Sequence, residues 1–286
     1  LGDLILGIES SCDETAAAVV EDGRRVLSSE IHSQIAEHAV YGGVVPEIAG
    51  RSHLEKILPV VDAALASADV ELDDLAAIAV TRQPGLIGSL LVGLSTAKAL
   101  AFVRGLPLVG VHHIEAHVYA ATMALEDAPW PCVALVVSGG HTSLYIAHSA
   151  LKLEPIANTL DDAAGEAFDK VSWILGLGYP GGPEVARLAT SGDPQAIAFP
   201  RYRAKDGSIG FSFSGLKTAV LYHVRGGDAL APTPPPEEIP NRADVAASFE
   251  AAVTDALVDQ TLRAAREYGL DRILVAGGVA CNLRLR

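Results

Sequence analysis

Cysteine is scarce. Cys12, Cys132 and Cys281 are the only three in 286 residues, an odd number with no two close in sequence. That excludes a disulfide framework and the paired spacing of a zinc knuckle, and fits a reducing cytoplasm. Basic residues are also in short supply. Lys and Arg number 21 against 35 Asp and Glu, a formal net charge of −14. A chain this acidic does not bind nucleic acid through its bulk charge, so a nucleic-acid substrate would need a local basic patch or a basic partner. The opening LGDLILGIESS lacks the basic stretch of a secretory signal, and export is not expected. The most membrane-like run, residues 86–102, is broken by Lys98 and by serine, threonine and glycine. It reads as a helix buried on most sides, with no membrane span expected. No G-x-x-x-x-G-K-[ST] run occurs, which excludes a P-loop enzyme.

What is present is apolar content and alternation. Half of the residues are apolar, enough for one large α/β unit or two lobes. Strand and helix signals alternate along the chain. LILGIES (4–10) is an apolar run, and residues 15–32 read as two antiparallel strands around Glu21-Asp22-Gly23. Residues 45–69 read as helix, AAIAVTRQPG as a buried strand entering a Pro-Gly loop, 88–103 as the apolar helix and LPLVGVHH as a strand. CVALVVSGGHTSLYIAHS then repeats the strand–loop–strand form of LILGIESSCDETAAAVVED, which points to a duplicated fold with two lobes. The expected division is 1–125 and 126–286, the second lobe carrying a helical insert over about 150–240. The prolines of APTPPPEEIP (231–240) make that stretch a surface loop. Residues 245–269 form an amphipathic helix with Val245, Phe249, Val253, Leu257 and Leu262 on its apolar face, ending at Gly269. DRILVAGGVACN (271–282) reads as a final buried strand and a Gly-Gly turn.

Three strands end in short polar loops, ESSCDET (9–15), VSGGHTS (137–143) and AGGVACN (276–282). Glycine lets a backbone approach an anion, and successive N–H groups can cradle phosphate. One such loop is an ordinary hairpin; three in a duplicated architecture point to a nucleotide cleft. His113 and His117 sit four apart, so a helix starting near His112 puts them on one face, spaced to chelate one ion or to serve as hydrogen-bonded core histidines. The zinc-protease pattern has glutamate directly after the first histidine. Here Glu115 stands two positions on and points away, so that reading fails on geometry. Two histidines do not complete a metal site, and a third ligand must come from elsewhere. Asp162, Glu166 and Asp169 share one helical face, either a solvated acidic surface or a ribose-binding position. RYRAKDG (201–207) is the best local candidate for phosphate or RNA-backbone contact, with an exposed loop as the plain alternative. Asp13 and Glu14, in the first loop, are candidate catalytic bases beside the alternative of local turn hydrogen bonding.

Together ESSCDET, YGGVVPEIAGRSH, HHIEAH, VSGGHTSL, DDAAGEAFDKV, YPGGP, FSFSGLKT and GGVACNLRLR resemble the TsaD family of bacterial tRNA N6-adenosine threonylcarbamoyltransferases, once labelled O-sialoglycoprotein endopeptidases. The resemblance runs in order from Leu4 to Arg286. It implies the two-lobed, duplicated ribonuclease-H-like α/β fold of the actin, sugar-kinase and heat-shock ATPase superfamily. It implies transfer of a threonylcarbamoyl group from threonylcarbamoyl-adenylate to N6 of the adenosine 3′ to the anticodon, in tRNAs reading codons that start with A. His113 and His117 match the family's metal-binding pair, with iron or zinc as the ion. Val136, Val137, Ser138, Gly139 and Gly140 match its substrate-binding strand end, and Asp169, Gly182 and Asn282 its remaining nucleotide-binding positions. Some members carry an aspartate four residues after that glycine; Ala186 stands here instead. The family's third metal ligand is an aspartate beyond Asn282, so the sequence, which starts without Met and stops at Arg286, is expected to be a partial product. The implied partners are tRNA, the paralogous protein TsaB and the small ATPase TsaE, in the cytoplasm. Two other functions share the fold: a sugar-kinase-like phosphotransferase and a non-catalytic scaffold of the same complex.

Overall fold

The computed structural model describes residues 2–123, 125–228 and 231–286. The chain divides into two compact units, 1–116 and 117–286.

The first unit is built on β1 (Leu4–Glu9), β2 (Glu14–Glu21), β3 (Arg25–Ser33), β4 (Ala77–Gln83) and β5 (Leu108–His112), in the order β3-β2-β1-β4-β5. β1, β2 and β3 pair antiparallel, whereas β4 pairs parallel with β1 and β5. The turn into β3 forms where expected, over Asp22, Gly23 and Arg24, with Asp22 and Gly23 both at positive φ (51° and 70°), the geometry that lets a tight turn follow the strand twist. The unit also holds α1 (Ile35–Ala39), α2 (Pro46–Ala68) and α3 (Ile87–Arg104). α2 begins with Pro46, whose missing N–H costs nothing in a first turn. Its buried row, including Ile57, Val61 and Leu65, meets Leu6, Val19, Ile78 and Val80 of the sheet. Burying such a side chain contributes about 1.5–3 kcal/mol.

α3 departs from the sequence expectation. Only Ser89, Val92, Gly93, Ala97 and Ala101 of its 18 residues are buried, while Ile87, Leu91, Phe102 and Val103 are exposed. Apolar residues occur on every face of the helix, so its pattern does not tell which face the sheet takes. By length and composition alone it could cross a membrane; its buried row packs in the core of this unit.

α4 (His113–Thr122) follows β5 directly, as the sequence predicts.

The second unit holds β6 (Cys132–Val137), β7 (Thr142–Ser149), β8 (Lys152–Asn158), α5 (Ala164–Ile174), α6 (Gly181–Ala189), α7 (Ser214–Val224), α8 (Arg242–Glu267) and β9 (Ile273–Ala276). The sheet order is β8-β7-β6-β9, with β6 antiparallel to β7 and parallel to β9. This repeats the β3-β2-β1-β4 arrangement of the first unit, and the duplication inferred from the two strand–loop–strand stretches stands. β6 is buried at every position. α8 supplies Val245, Phe249, Val253 and Leu257 to the core, where Phe249 meets Phe168 edge to face with ring centroids 5.2 Å apart. Leu262, expected on that face, is exposed. β8 was not foreseen, because Pro155 interrupts its pattern; it is an edge strand, where proline is tolerated. β9 is buried only at Leu274 and Ala276, with Ile273 and Val275 on the open face. A four-residue apolar run gives no sign of which face is covered. Residues 231–240 form a loop with one short 3-10 turn at Pro236–Glu238.

Candidate active site

In the first unit the loop Ser10–Asp13 joins β1 to β2 and carries Asp13, with Glu14 opening β2. Glu9 ends β1. Its carboxylate accepts hydrogen bonds from the Thr81 hydroxyl (2.6 Å), from Nδ1 of His113 (3.1 Å) and from the Ser11 amide. Burial works against its ionisation, but those bonds outweigh it and hold the pKa at about 2. A charged carboxylate on Nδ1 makes that nitrogen the protonated one and leaves Nε2 as the ring atom with a lone pair. Glu14 is exposed, and its carboxyl is shifted the other way. Partial desolvation raises its pKa, as do Asp13 and Glu9, against a lowering hydrogen bond from Ser33. Sequence reasoning singled out Asp13 and Glu14 but missed Glu9, Thr81 and Ser11. Only the parallel pairing of β1 with β4 brings Thr81 to Glu9.

His113 and His117 both lie on α4, one helical turn apart. Imidazole suits iron or zinc, and a carboxylate behind the imidazole, as Glu9 stands behind His113, is the usual support for a metal-bound histidine. The residues present therefore fit a divalent ion in part. Among the described residues no group of three His, Cys, Asp or Glu is placed to hold one.

In the second unit four stretches converge. Val136 and Val137 are fully buried in the central strand and paired with Ser143 and Thr142, so they support the loop that follows them. The carbonyls of Ser138 and Gly139 accept from the N–H groups of Gly165 (3.2 Å) and Glu166 (3.1 Å) at the start of α5. That approach requires glycine at 165, where a Cβ would stand 2.6 Å from Ser138 O. Gly277, at φ 95°, packs against the carbonyl of Val137 and draws in the loop after β9. Asp169 Oδ1 accepts from Gly181 N (2.7 Å) and fixes the start of α6, which carries Gly182.

Three amides, those of Ser138, Gly139 and Gly140, are the natural anion donors of this loop. The structure removes one of them. Ser138 N is bonded to His141 O at 2.8 Å. Gly139 and Gly140 are exposed, and among the described residues their amides make no hydrogen bond. Asn282 is held by its own turn: Oδ1 accepts from Arg284 N and Leu285 N, and Nδ2 donates to Glu250 at 2.7 Å.

The acidic stretch resolves into separate roles. Asp162 precedes α5 and bridges Lys170 (2.7 Å) and Lys217 (2.9 Å), with Glu166 also on Lys170. Asp161 caps α7 by accepting from Ser212 Oγ, Phe213 N, Ser214 N and Ser214 Oγ. In RYRAKDG, Arg201 is paired with Asp255, while Arg203 and Lys205 are exposed.

Two units with the same strand order, each with a polar loop closing its first hairpin, define the duplicated fold of the actin-like ATPases and sugar kinases. Component A of the Acidaminococcus fermentans (R)-2-hydroxyglutaryl-CoA dehydratase shares it, at TM-score 0.55 and 13% identity over 99% of this chain and 85% of that one. The chain belongs to the TsaD family of tRNA N6-adenosine threonylcarbamoyltransferases, whose model matches residues 25–286. The transferases of Geobacter sulfurreducens and Syntrophotalea carbinolica are 58% and 57% identical to it, each over 99% of this chain and 81% of the relative. It is thus a tRNA-modifying acyltransferase, and the sugar-kinase and scaffold alternatives fall away.

Proposed function

We propose that the chain transfers the threonylcarbamoyl group from threonylcarbamoyl-adenylate to N6 of the adenosine 3′ to the anticodon, with Glu14 as the base. The exocyclic amine is a weak nucleophile because its lone pair is delocalised into the purine. The donor's mixed anhydride supplies the activation, and the protein supplies orientation and charge stabilisation. N6 bonds to the carbonyl carbon, the bond from that carbon to the phosphate oxygen breaks, AMP leaves, and the N6 proton passes to a carboxylate. The observation that carries the reading is that one short segment, Glu9 to Glu14, both fixes His113 through Glu9 and ends in an exposed carboxylate of raised basicity.

His113 and His117 would hold the divalent ion, iron or zinc, with Glu9 fixing the ring of the first. When bound, it supplies positive charge for the donor's phosphate or carboxylate. Gly139 and Gly140 offer their amides to the phosphate, and Val136, Val137, Ser138, Asp169, Gly182 and Asn282 shape the donor site around them. Asp13 raises the basicity of its neighbour.

The net charge of −14 leaves tRNA affinity to a shared surface, with TsaB and TsaE as the partners. The exposed apolar residues Ile87, Leu91 and Phe102 on α3, with Leu54 and Leu58 on α2, support a protein neighbour there. On this reading the enzyme works in the cytoplasm, where its tRNA substrate is.

The test is transfer by Glu14→Gln with the adenylate donor and a tRNA transcript. The expected result is a fall in kcat of about 10²–10⁴. Full retention of transfer would remove Glu14 from the mechanism.

A further inference from the structure

The stretch YGGVVPEIAGRSH, residues 41–53, ends in a histidine outside the His113 and His117 pair. Its last residue, His53, lies on the inner face of α2 and is completely buried. A buried polar side chain needs a partner for each polar atom, and its ring nitrogens are used on the loop between β1 and β2 and on the start of β2. Nε2 stands 3.0 Å from the carbonyl oxygen of Cys12, and Nδ1 stands 2.7 Å from the hydroxyl of Thr15. A carbonyl can only accept, so Nε2 carries the proton. The neutral ring then accepts the Thr15 hydroxyl at Nδ1. The two anchored residues flank Asp13 and Glu14.

A second helix grips the same loop. Ser89 of α3, also buried, donates to the Cys12 carbonyl at 3.3 Å and accepts from Ser10 Oγ at 2.8 Å through its own carbonyl. Leu86 N donates to Ser11 O at 2.8 Å, and Gln34 N to Asp13 O at 3.1 Å. Gly93 of α3 lies so close that a Cβ there would strike the Ser10 hydroxyl. Four successive residues, Ser10 to Asp13, are therefore each fastened, by α2, by α3 with its preceding residue Leu86, and by Gln34 before α1, and the Cys12 carbonyl is fastened twice.

We propose that His53 is a positioning residue for the transfer reaction: as a neutral imidazole with Nε2 protonated, it clamps the Cys12–Thr15 segment so that the Asp13 and Glu14 carboxylates hold one place, with Ser89 as the second jaw. This rests on the reading of that pair as the base. His53 holds the Cys12 carbonyl and the Thr15 hydroxyl, and not the carboxylates themselves. Misplacing a reacting group by about 1 Å costs on the order of 10²-fold in rate.

The loop contains its own reporter. Cys12 reaches the surface, yet its thiol is pushed up to about 12 by desolvation and by the carboxylates of Asp13, Glu9 and Glu14. It should alkylate slowly while the clamp holds. Cys281, also exposed, lies in the other unit and serves as the internal reference, and Cys132 is buried.

The experiment measures the ratio of Cys12 to Cys281 labelling by iodoacetamide, peptide by peptide, in the wild type, His53→Ala and His53→Gln, beside kcat and KM for tRNA. Glutamine can place an N–H near the position of Nε2. The expected result is a labelling ratio raised about tenfold in His53→Ala, with kcat down on the order of 10²-fold and KM for tRNA little changed. His53→Gln should restore most of both. An unchanged labelling ratio in folded His53→Ala overturns the clamp. A raised ratio with unchanged kcat overturns its role in the reaction. Failure of the base reading shows separately, as full transfer by Glu14→Gln. If His53→Ala does not fold, Ser89→Ala and Thr15→Val carry the same test, each removing one partner of the clamp.

Discussion

Glu9 and His113 are separated by 104 residues in sequence, and Glu9 Oε2 accepts from His113 Nδ1 at 3.1 Å. The carboxylate that ends the first strand thereby decides which nitrogen of the first α4 histidine keeps a lone pair. Thr81 and Ser11 hold the carboxylate itself, so neither member of the pair is free to rotate.

Glu9→Gln should therefore weaken metal binding more than it weakens the fold. An amide can accept from Nδ1 but carries no charge to raise the basicity of the ring. Loss of such an outer carboxylate lowers metal affinity by about 10–100-fold. Competition with a chromophoric chelator for zinc measures this directly, without any activity assay. An affinity equal to that of the wild type would detach Glu9 from the metal-binding histidines.

Glu14 trades stability for basicity. Its pKa is raised in the folded protein, so the fold binds that proton more tightly than the unfolded chain does. The contribution to stability is full below the ordinary glutamate value of about 4.3 and is lost as pH rises through the higher folded value. At pH 7 the ionised side chain is a cost, and Glu14→Gln should raise Tm there while leaving it unchanged near pH 4. The same substitution should abolish the acid limb of the kcat/KM profile. Thermal melts and rates across pH 4–8 read both effects.

Asp161→Ala should loosen α7. Four donors lose their acceptor, two of them backbone amides at the start of that helix. Hydrogen bonds to a charged group contribute about 1.5–3 kcal/mol, reduced here by solvent to about 1–2 kcal/mol. Because those bonds lower the Asp161 pKa, the contribution is present above the ordinary aspartate value and vanishes as pH falls through the lower folded one. Urea unfolding at pH 7 should show the loss, and the loss should shrink as the pH is lowered below the ordinary aspartate value.

Gly277→Ala should be among the most damaging single-methyl changes. The residue sits at φ 95°, and an added Cβ would collide with the Val137 carbonyl of the central strand. The positive-φ extended backbone (φ 95°, ψ 166°) alone costs about 1–3 kcal/mol in an L-residue, and overpacking about 1–3 kcal/mol more. Gly278→Ala has open space around its Cβ and serves as the control. Equal stability of the two variants would contradict the close approach of the β6 and β9 loops.

The sequence by itself determined the elements and the family. Alternating apolar runs fixed the strands of both sheets except β8 and the long helices α2, α3 and α8, and Gly, Ser and acidic residues marked the polar loops in advance. The order of motifs identified the transferase. Local pattern carries that information because burial and turn geometry act over a few residues. Contacts that depend on pairing between distant strands are not written locally. Nothing near Glu9 indicates Thr81 or His113, and nothing near Cys12 indicates His53 or Ser89. The spent amide of Ser138 and the open outer face of α3 are likewise invisible along the chain. Hydrophobicity says that a residue will be covered, while the tertiary fold alone decides which neighbour covers it and which polar atoms are left for a ligand.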